Sequence, residues 1–163
     1  MEAESHIGEV EPEHIRNMAY TCYQCGVCSG GCPVAAIEES FRPREIMQKT
    51  LNREFDELTQ GDVIWLCAAC YNCYEQCPQE VKVTDVIFEL QSEAIREGIK
   101  PEKLIKVMGA VYRDGLTTKA VGFVVKQREK AGLKAPPEAN VEAAKLIIEK
   151  TGLSKLIKGG DGK

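Results

Sequence analysis

Apolar residues along this chain recur at intervals of three and four, the period of a helix that buries one stripe, in five stretches. Ile46, Thr50, Leu51, Phe55 and Leu58 follow Pro43, whose fixed φ suits the first position of a helix. One long helix is therefore predicted from Pro43 onward, with Gly61 as its left-handed cap. Val86, Ile87, Leu90, Ala94 and Ile95 form a second stripe, with Thr84 as the expected N-cap and Gly98 as the stop. Pro101 opens a third, carrying Leu104, Met108, Val111 and Tyr112 on one face, with Gly115 beyond it. Thr117 is expected to cap a fourth through Val121, Val124 and Val125, ending at Gly132. After the break at Pro136-Pro137 a fifth runs from about Glu138 to Lys150, with a short sequel around Leu153 to Ile157. A short helix from Glu13 to about Tyr20 comes before all of these. Period-two alternation is confined to Val81 and Val83 around Lys82, too short a run for a strand. A mostly α protein is predicted, divided into an acidic flexible arm (1–12), a helical core with its cysteines (13–98), a helical extension (99–157) and a disordered tail (158–163).

Two segments interrupt the helical period, and they hold all eight cysteines. Cys22, Cys25, Cys28, Cys32 and Pro33 recur 45 positions later as Cys67, Cys70, Cys73, Cys77 and Pro78. Each block reads C-x-x-C-x-x-C-x-x-x-C-P, the bacterial ferredoxin spacing for a 4Fe-4S cubane. Three thiolates two residues apart wrap one loop around a cluster face. Small residues such as Gly26, Gly30, Gly31, Ala68 and Ala69 let backbone N–H groups approach the sulfides. In two-cluster ferredoxins the fourth cysteine serves the other cluster. The expected sets are thus Cys22, Cys25, Cys28 and Cys77 around one cubane, and Cys67, Cys70, Cys73 and Cys32 around the second. Zinc fits less well, because its cysteine pairs are normally separated by a longer spacer. A disulfide framework needs an oxidising compartment, and the acidic N-terminus has no apolar segment of a secretory signal. A redox dithiol would leave six cysteines unexplained.

Composition adds solubility and asymmetry to this picture. Hydrophobic residues make up 44% and charged residues 28%, the balance of a folded soluble chain. No run approaches the roughly 20 apolar residues that span a bilayer, so a cytoplasmic location with no membrane contact is expected. Residues 1–98 carry 7 Lys/Arg against 18 Asp/Glu, and residues 99–163 carry 14 against 7. The basic half could meet nucleic acid or an acidic protein. It has only Tyr112 and Phe123 as aromatics and only Arg113 and Arg128 as arginines, a composition that favours protein docking. Trp65, Tyr23, Tyr71 and Tyr74 are expected to pack around the cysteines and exclude water. His6 and His14 are expected in solvent, and Arg42 and Arg44 at a solvated helix start. No phosphate loop, catalytic triad or carboxylate pair stands out, so no catalytic residue is assigned and no substrate site of its own is expected.

The blocks CYQCGVCSGGCPVA (22–35) and CAACYNCYEQCPQEV (67–81), the segment FRPREIM (41–47) and the helical tail resemble the C-type iron–sulfur subunit of CoB–CoM heterodisulfide reductase. The 34-residue spacer between the blocks, read as one long helix, is similar to that of alpha-helical ferredoxins. The resemblance implies an alpha-helical ferredoxin core with two 4Fe-4S clusters plus a C-terminal helical extension. It implies an electron-carrying subunit of a methanogenic oxidoreductase that performs flavin-based bifurcation. Its partners would be a FAD-containing flavoprotein subunit and the catalytic subunit that reduces the heterodisulfide, with a hydrogenase or formate dehydrogenase in the larger complex. No Cys-Cys-Gly pair of a noncubane-cluster module is present, in keeping with the soluble type. The alternatives are the equivalent subunit of a related reductase, such as an anaerobic glycerol-3-phosphate dehydrogenase C-type or quinone-linked protein, and an iron–sulfur nucleic-acid-binding protein.

Overall fold

A computed structural model of the chain describes residues 12–99, 101–134, 136 and 138–158. The predicted arm and tail lie outside the described residues, except that Pro12 starts the first helix and Lys158 ends the last. The described residues are mostly helical, contain no strand, and fall into two compact units that meet near residue 100 in the sequence. No helix among them is long and apolar enough to cross a membrane.

The first unit comprises α1 (Pro12–Ala19), α2 (Val27–Gly30), α3 (Pro43–Leu51), α4 (Phe55–Thr59), a 3-10 turn (Val63–Leu66), α5 (Asn72–Glu75) and α6 (Val83–Arg96). Pro43 begins α3 as expected, and the Arg44 N–H there donates to Ser29 Oγ of α2 at 2.9 Å. One orphan amide of the helix start is thereby satisfied from the first cysteine block. At the other end Arg16 Nε donates to Leu51 O at 3.2 Å. The single helix expected from Pro43 to Gly61 is not formed. It breaks at 52–54, where Arg53 takes a left-handed φ of 63°, a conformation costing a side-chain-bearing residue about 1–2 kcal/mol. The helix end closes there through Arg53 N–H to Thr50 O at 3.1 Å and Glu54 N–H to Lys49 O at 3.0 Å, and an exposed ion pair joins Arg53 to Glu13 at 3.1 Å. The break lets α4 turn back onto α6 rather than run past it. Gly61 is not left-handed; Gln60 closes α4.

The core of this unit forms where α6 packs on α1, α3 and α4. Val86, Ile87, Leu90 and Ala94 of α6 meet Ile15 and Ala19 of α1, Ile46 and Met47 of α3, and Phe41 and Ile64, all essentially water-free. Each large side chain among them contributes roughly 1.5–3 kcal/mol by burial. Two buried hydroxyls are matched within the core: Thr50 Oγ1 donates to Ile46 O and Thr59 Oγ1 to Glu97 Oε2, each at 2.8 Å. Thr84 is not the cap of α6. It lies within the first turn, and its side chain is turned to a cysteine instead.

The second unit comprises α7 (Glu102–Asp114), α8 (Gly122–Lys130), α9 (Val141–Lys150) and α10 (Leu153–Lys158). α7, α9 and α10 pack together, yet Ile148 is the only buried hydrophobic residue described there. Gly115 ends α7 at φ 68°, and Gly132 follows α8 at the same angle, both as the sequence indicates. Two starts differ from expectation. α8 begins at Gly122 after an extended Val121, not at Thr117, and α9 begins at Val141 because Asn140 caps it, accepting from the Ala143 N–H at 2.9 Å.

Candidate metal centres

The two cysteine blocks share one backbone. Gln24 and Gly26 flank Cys25 with φ of 64° and 85°; Ala69 and Tyr71, 45 positions on, flank Cys70 with φ of 52° and 59°. α2 and α5 follow at the same offset. Left-handed residues on either side of a cysteine curl the chain, a turn that gathers N–H groups into an anion-binding concavity of the kind found at Fe–S sites. That three of the four are not glycine, despite a cost of order 1 kcal/mol each, marks a shape imposed by the site. The blocks are joined by a hydrogen bond from Asn72 Nδ2 at the start of α5 to Gly31 O at the end of α2.

Cys32 of the first block is buried and lies with Cys67, Cys70 and Cys73 of the second around one cavity, closed by Phe41, Thr84 and Ile87 among others. In the other group Cys28 lies within electrostatic reach of Cys22 and Cys25. The exposed Tyr23 lies against Cys25 and within electrostatic reach of Cys77, a residue of the second block. Cys28 also senses Cys73, so the two groups adjoin through these residues. Cys25 and Cys70 are the exposed members. Of the rings expected as a shield, Trp65 packs on the core and Tyr74 is half-buried, but Tyr23 is 59% and Tyr71 42% exposed. His14 is exposed as expected, and His6 lies outside the described residues.

Burial pushes the Cys28 thiol up to about 11, reinforced by repulsion from Cys22 and Cys73. Cys67 and Cys73 are raised by burial too, opposed by the Ala69 N–H and the Thr84 hydroxyl respectively. Several sulfurs also accept hydrogen bonds. Val81 N–H donates to Cys77 Sγ at 3.3 Å and Gln24 Nε2 to Cys22 Sγ at 3.4 Å, while Thr84 Oγ1 is 3.2 Å from Cys73 Sγ. Such surroundings suit sulfur that carries negative charge shared with a metal, since iron supplies the positive charge that solvent does not. Among the described residues no three Cys, His, Asp or Glu converge on a single ion. A cubane offers each thiolate a different iron corner, and the curled loops, the cavity lined by four cysteines and the sulfur-directed donors fit it.

Residues 18–81 match the family described as a 4Fe-4S dicluster domain. A CoB–CoM heterodisulfide reductase C-type iron–sulfur subunit of Methanocaldococcus jannaschii is 34% identical over 151 residues, covering 89% of this chain and 80% of that one. The chain belongs to the family of C-type iron–sulfur subunits of heterodisulfide reductase. Its similarity to the corresponding Methanopyrus kandleri subunit is 34% over 133 residues, covering 77% of this chain and 69% of the relative. The C-type subunit of the H2:CoB–CoM heterodisulfide,ferredoxin reductase of Methanothermobacter thermautotrophicus is 31% identical over 142 residues, 83% and 76% of the two chains. Family members are subunits of an oxidoreductase complex, and membership accounts for the dicluster motif. It leaves Thr84, Gln24 and Asn72 to be read from this chain alone. The sequence signal for Thr84 is a polar residue on the apolar stripe of α6; Gln24 and Asn72 give none.

Proposed function

We propose that this chain is the electron-relay subunit of a soluble heterodisulfide reductase, holding two 4Fe-4S clusters. Cys22, Cys25, Cys28 and Cys77 would hold one, and Cys67, Cys70, Cys73 and Cys32 the other. The clusters, when bound, take up and release single electrons. The observation that carries this reading is the placement of the cysteines. Cys32 sits in the other block's group, and Cys28 and Cys73 bring the groups side by side. Cys25 and Cys70 are exposed, one per group, so each group has a side that a partner's redox centre can approach.

The donor in this proposal is a FAD-containing flavoprotein subunit, and the acceptor is the catalytic subunit that reduces the CoM-S-S-CoB disulfide to two thiols. Support for a role inside a complex comes from the second unit. Its apolar side chains are largely uncovered, with Phe123 69% and Val121 62% exposed, and Lys119, Lys126 and Arg128 lie along the same stretch. Uncovered apolar side chains in a basic stretch of chain suit docking on a protein of opposite charge. The cytoplasmic location belongs to this proposal as well. The test is anaerobic reconstitution of heterodisulfide reduction from the flavin donor, with and without this chain. Turnover that depends on the chain is expected. Full-rate turnover by the flavin and catalytic subunits alone would refute the relay.

A further inference from the structure

Thr84 occupies a place that the cysteine pattern does not require. It lies on the stripe of α6 otherwise formed by Val83, Val86, Ile87 and Leu90, and it is 1% exposed. A hydroxyl in such a position needs a partner, because its water is gone. The partner is Cys73 Sγ at 3.2 Å. In the metal-free protein either atom can donate. A cysteine bound to iron has no proton, so in the loaded protein the hydroxyl must be the donor. A donor at sulfur stabilises the added negative charge of the reduced cluster more than it stabilises the oxidised one. The reduction potential rises accordingly.

The internal repeat makes this contact one-sided. The residue 45 positions before Thr84 is Glu39, which is exposed. The side chains that meet sulfur in the first block are instead Gln24, reaching Cys22 Sγ at a longer 3.4 Å, and Tyr23, hydrogen-bonded to Cys25; their counterparts in the second block are Ala69 and Ala68. Gln24 also keeps its Oε1 buried without a hydrogen-bond partner. The loops share their backbone but not their donors. We propose that Thr84 is a positioning residue that raises the reduction potential of the cluster held by Cys73. This rests on the two-cluster reading above.

The experiment is a redox titration, followed by electron paramagnetic resonance, of the full chain and its T84V, T84A and T84S variants, with iron and sulfide measured on each. C22S and C67S serve to assign the two signals. T84V and T84A are expected to lower the potential of the signal that C67S removes. The expected size is a roughly tenfold fall in its reduced-to-oxidised ratio, about 59 mV for a one-electron couple. T84S, which keeps the hydroxyl, should retain the wild-type potential. Unchanged potentials in T84V and T84A overturn the proposal. So does a shift that T84S shares, which would be a packing effect, or a shift in the signal that C22S removes. If T84V fails to load clusters, the comparison of T84S with T84A decides in the same way, and failure of all three to load assigns Thr84 to assembly instead and overturns it. A wild-type chain without two 4Fe-4S clusters would overturn the underlying reading, a result told apart by the iron and sulfide analysis alone.

Discussion

The crossed ligation proposed for the fourth cysteines makes a prediction that iron counting can decide. Cys32 belongs to the first block in sequence, yet it is 9% exposed and gathered with Cys67, Cys70 and Cys73. The intact chain should hold about eight irons in two cubanes. Cys32→Ser removes one corner ligand, so iron should fall to about seven if a three-iron core persists, and toward about four if that cluster is lost. The double variants carry the argument. In C32S/C67S both lesions strike the same cluster, so the count should settle near four, no worse than total loss of one site. In C32S/C22S each cluster loses one ligand, so the loss should be twice that of C32S alone: about six irons left if three-iron cores persist, and near zero if one lesion empties a cluster. The reduced-state spectrum of C32S should lack the component that C67S lacks and keep the one that C22S lacks. Local ligation, with each block filling its own site, predicts the reverse ranking of the two doubles. C32S/C22S settling near four irons while C32S/C67S shows twice the loss of C32S would refute the crossed assignment.

Two further outcomes follow from the burial of the thiols and the turn after α7. Cluster retention against an iron chelator should strengthen as pH rises. Iron displaces a proton from each neutral thiol, so binding is favoured as protons become scarce, and Cys28, held protonated up to about 11 rather than the ordinary 9.0, should extend that gain beyond pH 9; retention that is flat or falls between pH 7 and 9 would contradict the sign. Gly115→Ala should destabilise the helical unit more than Gly132→Ala, as measured by thermal melting. Both sit at φ 68°, where a Cβ costs about 1–2 kcal/mol, but only at Gly115 would it also meet Ala139 Cβ at 2.8 Å, so equal losses would refute the packing argument.

How legible the protein is from its sequence differs from element to element. The cysteine spacing is a geometric constraint in itself, and the structure repeats the curled loop twice although Gly26 is matched by Tyr71. Helix stops at Gly98, Gly115 and Gly132 are readable because a left-handed turn favours glycine. The break after α3 is not, since the left-handed residue is Arg53, an exposed residue at the hydrogen-bonded close of the helix, with an ion pair to Glu13 from 40 positions away beside it. At α9 the Pro136-Pro137 break is the louder signal, yet it is the quieter Asn140 that caps the helix. In the second unit the stripes are legible but their cover is not. Periodicity marks a face that suits burial without saying what buries it, and Leu146 and Ile147 of α9 remain more than half exposed. Thr84 misleads for a related reason: a threonine near a helix start suggests a cap, and only the fold shows that its hydroxyl is spent on a sulfur.

The matched backbone of the two cysteine loops has a consequence for how such a protein can diverge. Positions 24 and 69 hold Gln and Ala, and positions 26 and 71 hold Gly and Tyr, yet the chain follows the same path at each pair. The loop behaves as a cassette whose shape survives changes of its lettering. The hydroxyl that faces Cys73 arrives from α6, outside the cassette. For the second loop, the residues that gather the sulfurs and the hydroxyl beside Cys73 are therefore written in separate stretches of the gene, and selection can revise the second without rewriting the first.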